Sequence, residues 1–375
     1  MEKIIIAPDS FKGTMTSREV CEIVGKAVRE VSPDAEIVPV PIADGGEGSA
    51  ECFLAFRGGE KVNIESAGPF FDKVNSFYAI LPDGTAVIEA ATCAGLTLAG
   101  GKPSAADATT YGVGEQIRAA AQSGVKKMLL CLGGVATNDG GCGMAAALGV
   151  KFYRGGDEFI PTGRTLSKID KIDGSAAREL LSGVEIKVLC DVKNPLFGPD
   201  GAARVYARQK GATDGEIEML DAGLEHLAKM IKRDVGVDIS ALPGAGAAGG
   251  MGGGAVAFLN ATLTSGVDAV LDAANFDELL VGADLVITGE GKMDAQSASG
   301  KAVSGVAARA AKAGVPVWAL VGKAGDGAEK MLSLGVKRIY VSAREGASFD
   351  EIKKTCRDDL YRAAEKMMLE WRNGK

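Results

Sequence analysis

The sequence predicts an α/β protein: a discontinuous parallel-sheet domain of the flavodoxin or Rossmann kind, carrying a second, inserted α/β domain. Three observations carry that expectation. Short β-branched runs alternate with helical-period segments at both ends of the chain, which is how strands covered on both faces by crossover helices read. The middle of the chain follows a different pattern and opens on a hairpin signal. Glycine, at 52 of 375 residues, clusters between the apolar runs, where backbone must turn sharply or approach a ligand closely.

Lys3–Ala7 (KIIIA) predicts the first strand. The loop Pro8–Met15 follows it. Thr16 and Glu19 then have the spacing of a capping box, and Val20, Ile23, Val24, Ala27, Val28 and Val31 share one helical face. Ile37–Val40 predicts the second strand and runs into Pro41–Gly48 (PIADGGEG). Near the other end, Asp284–Thr288, Val317–Val321 and Arg338–Val341 read as strands. Val303–Ala311 reads as a helix closed by Gly314, Gly325–Leu334 as a short helix, and Ser348 with Glu351 as the capping box of a final helix. The two ends thus supply a complete flavodoxin-like sheet from residues 1–66 and 282–375, with expected order 2-1-3-4-5.

Residues 67–281 are then the inserted domain. Phe77–Leu81 and Ala86–Ala90 flank Pro82-Asp83-Gly84-Thr85 as a hairpin. Tyr111–Ser123 predicts a helix, Lys127–Leu132 and Ile186–Leu189 predict strands, and Thr213 with Glu216 opens a further helix.

Composition excludes several functions. A net charge of −7 is the wrong sign for a nucleic-acid partner. The start of the chain has neither a basic segment nor a long apolar run, so no signal peptide or membrane span is expected. Seven scattered cysteines without a CxxC pair read as reduced thiols of a cytoplasmic protein. The single histidine, His226, rules out a histidine zinc site and a Ser-His-Asp triad. No GxxxxGK[ST] is present, and protein-kinase signatures are absent. Gly244–Gly249 fits GxGxxG but follows Leu242-Pro243 rather than a strand, so a phosphate-facing glycine loop or close packing explains it better than a dinucleotide fingerprint.

In an open sheet of order 2-1-3-4-5, ligands bind outside the carboxyl ends of the strands where the order reverses. The loops there are Asp9-Ser10-Phe11-Lys12-Gly13 and Gly289–Asp294, with Asp44-Gly45-Gly46-Glu47-Gly48 as a neighbour. Each joins carboxylates to glycines, and two add a lysine. Phosphoryl transfer asks for backbone N–H groups and lysine on phosphate oxygens, and for carboxylates to hold Mg²⁺. The middle of the chain adds Gly133-Gly134-Val135-Ala136-Thr137-Asn138-Asp139-Gly140-Gly141, then Asp191–Leu196, and Lys210 beside Gly211.

These stretches together resemble the glycerate kinase type 1 family. The resemblance rests on APDSFKGT (Ala7–Thr14), PIADGGEGS (Pro41–Ser49), GGVATNDGG (Gly133–Gly141), CDVKNPL (Cys190–Leu196), QKGA (Gln209–Ala212), PGAGAAGG (Pro243–Gly250) and TGEGKMDAQSASGK (Thr288–Lys301), spread over essentially the whole chain. It implies phosphorylation of D-glycerate by ATP with Mg²⁺, generally yielding 2-phosphoglycerate, in a cleft between two α/β domains. Lys12, Asp191 and Asp294 are the expected catalytic residues, with Asp191 and Asp294 as rival bases. Asp9, Ser10, Gly45, Gly46, Glu47, Gly133, Gly134, Thr137, Asn138, Asp139, Lys210, Gly244, Gly246, Gln296 and Lys301 are expected at substrate and phosphate, and Glu290 and Asp44 at the metal. Val135 stands where the family usually has serine, so a backbone N–H must serve there if that hydroxyl touched ligand. Oligomeric state is left at monomer or homodimer. The rival readings are a kinase giving 3-phosphoglycerate or taking another small hydroxy acid, a non-catalytic nucleotide or sugar-acid binding protein, and an oxidoreductase resting on Gly244–Gly249 alone.

Overall fold

A computed structural model describes residues 2–43, 45–100, 105–295, 297 and 302–374. The chain forms two compact units, Met1–Asp44 with Val267–Lys375, and Gly45–Gly266.

The first unit is a five-stranded, wholly parallel sheet. Its order is Val336–Val341, Val317–Val321, Leu285–Gly289, Lys3–Pro8, Glu36–Pro39, which is the expected 2-1-3-4-5 read from the other edge. Ile4, Ile5 and Ile6 are fully buried. Burial of each is worth roughly 1.5–3 kcal/mol, which is why an unbroken β-branched run makes a central strand. The helices Ser17–Val31 and Phe349–Asn373 both start at complete capping boxes, Thr16 with Glu19 and Ser348 with Glu351. The segment expected to be helical over Gly325–Leu334 is helical only at Lys330–Ser333, because Gly325 and the Gly327 turn hold the loop after Met293 instead.

The second unit is a six-stranded mixed sheet of order Thr262–Thr264, Glu185–Leu189, Lys127–Cys131, Thr85–Glu89, Lys73–Ile80, Glu60–Ala67. The first four strands run parallel; Lys73–Ile80 runs antiparallel to both its neighbours, Thr85–Glu89 and Glu60–Ala67. The expected hairpin is present, with Gly84 in the left-handed region at φ 79°. The helices Tyr111–Gln122 and Asp214–Asp234 also form, the latter from its Thr213 capping box.

The units divide at Asp44/Gly45 and Gly266/Val267, not near residues 66 and 282. Glu60–Ala67 pairs with Lys73–Ile80 along its whole length, which carries residues 45–66 into the second sheet. At the far crossing, Arg309 ties Asp268, Asp272 and Asp277 to the first unit, and a Cβ on Gly305 would lie 2.2 Å from Val267 Cγ1. A small antiparallel sheet of Lys151–Arg154, Asp157–Phe159 and Lys171–Asp173 was not foreseen. Its turn, Gly155-Gly156, has both residues at positive φ, the two-residue hairpin geometry that glycine pairs favour. The helix Ala247–Leu259 was also missed, since its glycines argue against helix.

Candidate active site

In the first unit, two loops leave the carboxyl ends of adjacent strands at the point where strand order reverses. The Asp9 N–H donates to the Gly289 carbonyl at 2.8 Å, and the Ser10 N–H to Asp9 Oδ1 at 2.7 Å. Gly291 packs on the first loop so closely that a Cβ there would lie 3.1 Å from Phe11 Cα and 3.2 Å from the Lys12 nitrogen. Phe11 and Met15 are buried and exchange backbone hydrogen bonds, while the Thr14 hydroxyl donates to the Phe11 carbonyl at 2.7 Å. This bend leaves Lys12 exposed at its tip. Glycine at 289 is required too, because a Cβ would fall 1.9 Å from the Leu320 carbonyl oxygen. Glu290 is buried on the second loop. Asp294 is half-buried, receives Lys292 Nζ at 3.1 Å on one carboxylate oxygen, and its N–H donates to Ser297 Oγ at 3.1 Å. Asp9, Ser10, Lys12, Glu290 and Asp294 therefore share one edge of one sheet.

In the second unit the four parallel strands likewise end on one edge, and the Gly133–Gly141 and Asp191–Leu196 loops leave from it after Lys127–Cys131 and Glu185–Leu189. Gly133 donates its N–H to the Gly45 carbonyl at 3.3 Å, and Gly134 faces Glu47, whose Cβ would lie 3.7 Å from a Cβ built on that glycine. Asp191 Oδ1 accepts the Gly266 N–H at 3.0 Å, linking the ends of two neighbouring strands. Lys210 is nearly buried and its Nζ donates to the Thr137 carbonyl at 2.7 Å. Burial pulls the Lys210 ammonium down to about 8, with the Asp139 carboxylate opposing that pull. The Thr137 hydroxyl and both polar atoms of the Asn138 side chain are buried and have no hydrogen-bond partner among the described residues. An amide left without partners in the interior costs about 1–3 kcal/mol, so such atoms mark a place a polar ligand would satisfy.

Three expected contacts have other duties. Asp139 is fully buried: Oδ2 accepts the Thr110 N–H at 2.8 Å, the Thr110 hydroxyl at 2.9 Å and the Gly143 N–H at 3.2 Å, and Oδ1 accepts the Gly141 N–H at 3.0 Å. Burial pushes its carboxyl up while these donors pull it down. It shapes the loop from within. Gly244 and Gly246 are buried against protein, where a Cβ on Gly246 would lie 2.2 Å from the Pro195 carbonyl oxygen and one on Gly244 2.9 Å from Leu263 Cδ1. The run continues as a helix with Ala248, Gly249 and Gly250 left-handed. A Cβ on Gly249 would sit 2.1 Å from the Thr137 carbonyl oxygen, so the glycines let this helix press against the 137–141 loop. No strand leads into the run, which removes the dinucleotide-fingerprint reading.

Val135 is buried in the core of the second unit, so the position usually held by serine is a packing position in this chain. His226 Nε2 lies 2.7 Å from the Ile169 carbonyl oxygen, a structural contact on its helix. Asp44, Gln296 and Lys301 lie outside the described residues. Sequence reading overlooked Thr110, which braces Asp139, and Glu89, which is buried at the carboxyl end of its strand. The available signal for Glu89 was an acidic residue closing an otherwise apolar strand run.

Among the described residues, no group of three or more His, Cys, Asp and Glu side chains is arranged to hold a metal ion. The donors on the first unit's edge are carboxylates, which suit a hard cation. Mg²⁺ is ordinarily held by one or two carboxylates together with substrate phosphates rather than by an all-protein cage. The Glu290 and Asp294 carboxylates are donors of the kind that suits Mg²⁺ arriving with a nucleotide. Among the described residues, no helix is long and apolar enough to cross a membrane.

Comparison with known proteins matches the Glycerate kinase family over residues 4–372. A glycerate kinase from Bacillus cereus is 39% identical over 99% of this chain and 98% of its own length. The glycerate 2-kinase of Escherichia coli K12 is 41% identical, covering 96% of each. A crystal structure from Salmonella typhimurium LT2, of a protein provisionally named glycerate kinase 2, superposes with TM-score 0.81 at 37% identity, covering 100% of this chain and 99% of that one.

Proposed function

The chain belongs to the glycerate kinase family, and from that premise we propose how its own loops carry the transfer. It is an ATP-dependent kinase acting on glycerate, and the E. coli relative's name supports the 2-hydroxyl as acceptor, giving 2-phosphoglycerate. The triphosphate lies on the carboxyl edge of the first unit. There the backbone N–H groups of Lys12 and Gly291 and the Lys12 ammonium take phosphate oxygens. Glu290 and Asp294 hold Mg²⁺, which neutralises phosphate charge when bound. Glycerate lies on the carboxyl edge of the second unit. Its carboxylate is met by the Lys210 cation and loop N–H groups, and its hydroxyls satisfy Asn138 and Thr137. The acceptor hydroxyl attacks the γ-phosphorus in line as the bond to the β-bridging oxygen breaks. ADP leaves, and the hydroxyl proton passes to Asp191, or to Asp294 where Glu290 alone holds the metal. The transition state is loose, so positioning and charge neutralisation do most of the catalysis.

The observation that carries this reading is the locking of the Asp9–Gly13 and Gly289–Asp294 loops together at the strand-order reversal. We also place the enzyme in the cytoplasm, as a monomer or homodimer with no nucleic-acid or membrane partner. All seven cysteines are among the described residues and none is in a disulfide, which suits a reducing compartment. The test is ADP release coupled to phosphorus NMR of the product. D-glycerate is expected to drive stoichiometric ADP formation, with a new phosphate monoester signal coupled to the C2 proton. A product coupled to the C3 protons would move the acceptor to the 3-hydroxyl, and ADP release indifferent to D-glycerate would refute the substrate.

A further inference from the structure

Glu89 ends the central strand Thr85–Glu89, is 3% exposed, and lies in no contact that the transfer itself requires. Its carboxylate reaches across to the next loop, accepting the Gly48 N–H on Oε1 at 2.9 Å and the Ala50 N–H on Oε2 at 3.1 Å. Gly48 is left-handed at φ 86° and caps the helix Ser49–Arg57 without a side chain of its own. A carboxylate from a different strand thus supplies the cap that this sequence lacks locally. The same loop is pinned at its other end by the Gly45 carbonyl accepting from Gly133. Between the two pins stand Gly46 and the exposed Glu47.

We propose that Glu89 is a positioning residue for phosphoryl transfer: its ionised carboxylate holds the Gly45–Gly48 loop in the shape that presents it to ligand, and protonation releases the loop. The proposal rests on glycerate-kinase activity and on the expectation from sequence that Gly45, Gly46 and Glu47 meet substrate and phosphate. The charges acting on Glu89 are the like-signed carboxylates of Glu47 on the loop and Glu51 on the helix. Lys61 of the outermost strand is 3.3 Å from Glu51, and the neighbouring strand pairs Cys131 with Glu89 in register. Thr92, on the short helix that follows, donates its hydroxyl to the Glu89 backbone carbonyl at 2.8 Å. Burial, opposed by the two N–H donors and reinforced by Glu47 and Glu51, raises the carboxyl to about 7. Near neutrality the residue therefore passes between two states. Ionised, it accepts from both amides. Protonated, it turns one acceptor oxygen into a donor and loses one of the two bonds.

Linkage gives a signature that a plain helix cap would not show. The folded value lies above the unfolded one, so the contribution of Glu89 to stability is complete below about pH 4.5 and is lost as pH rises through about 7. Activity should do the opposite and rise through the same interval. The experiment compares full-length wild type with Glu89→Gln by kcat and KM for ATP and D-glycerate from about pH 5.5 to about pH 8.5. It adds amide hydrogen exchange of residues 45–50, corrected for intrinsic rates. Wild type is expected to show an acid limb near neutrality. Glu89→Gln is expected to lose that limb, to exchange faster in 45–50, and to drop kcat/KM roughly ten- to a hundredfold at alkaline pH. Unchanged exchange together with unchanged activity overturns the proposal and leaves the loop's assignment standing. Faster exchange with unchanged activity overturns both, since the loop would then not serve ligand. A fall in activity that keeps the acid limb assigns the loss to fold damage and also overturns it. Should the variant fail to fold, wild-type protection at 45–50 decides: a fall as pH drops through neutrality supports the proposal, and constant protection refutes it.

Discussion

Lys12→Ala is expected to lower kcat by roughly 10²–10³-fold, the usual cost of removing one preorganised charge from a developing anion, while the melting temperature stays nearly constant. The structural half of that expectation follows from how the bend is built. Phe11 and Met15 anchor it by burial and by their reciprocal backbone hydrogen bonds, and Thr14 adds a side-chain bond to the Phe11 carbonyl. Gly13 at φ 79° supplies the turn and sits against Phe349. The Lys12 side chain itself is exposed at the tip of the bend. The functional half follows from position, at the strand-order reversal and beside the Gly291 backbone. Steady-state kinetics with a thermal melt separates the halves. Near-normal turnover would remove Lys12 from the transfer. A large fall in melting temperature would show that the bend depends on the lysine after all.

Asp139→Ala is expected to have the largest effect on stability. It would strip partners from the Thr110, Gly141 and Gly143 amides in a fully buried setting. Each orphaned donor costs about 1–3 kcal/mol, so the loss should reach about 3–5 kcal/mol or more. That is a large share of the roughly 5–15 kcal/mol that holds a domain together. Asp139→Asn keeps one acceptor oxygen and should lose less. Urea titration followed by tryptophan-independent circular dichroism reads both. A midpoint for Asp139→Ala equal to that of wild type would mean that the four hydrogen bonds do not hold the loop. Any activity lost in this variant without loss of stability would point to a direct ligand contact instead.

The contrast between Lys12 and Asp139 shows what a sequence discloses. Both stand in glycine-rich loops after strands and both read as candidate ligand contacts. The order of the parallel sheet was legible because buried β-branched runs and three capping boxes fix element type and sequence locally. Loop placement followed from strand order, since carboxyl ends of parallel strands share an edge. Side-chain direction does not follow from either. Asp139 turns inward because Thr110, distant in sequence, presents two donors to it. The glycines at 244–254 read as a ligand loop because local propensity opposes helix, yet they are set by how close the 137–141 backbone comes. The crossing between units was misjudged for a related reason. Glu60–Ala67 follows the first unit in sequence but finds its partner strand in the second, and pairing of that kind is decided by tertiary register. Glu89 went unnoticed because its partners, Gly48 and Ala50, lie some forty residues back and are backbone groups that leave no mark on composition.

The most direct measurement of the central claim is a crystal structure with a non-hydrolysable ATP analogue, Mg²⁺ and D-glycerate. The account predicts the triphosphate against the Ser10–Lys12 and Gly289–Asp294 backbone, with Lys12 Nζ on a phosphate oxygen and Glu290 or Asp294 on the metal. Phosphates seated instead on the Gly244–Gly250 run, or at the amino ends of the five parallel strands, would contradict it.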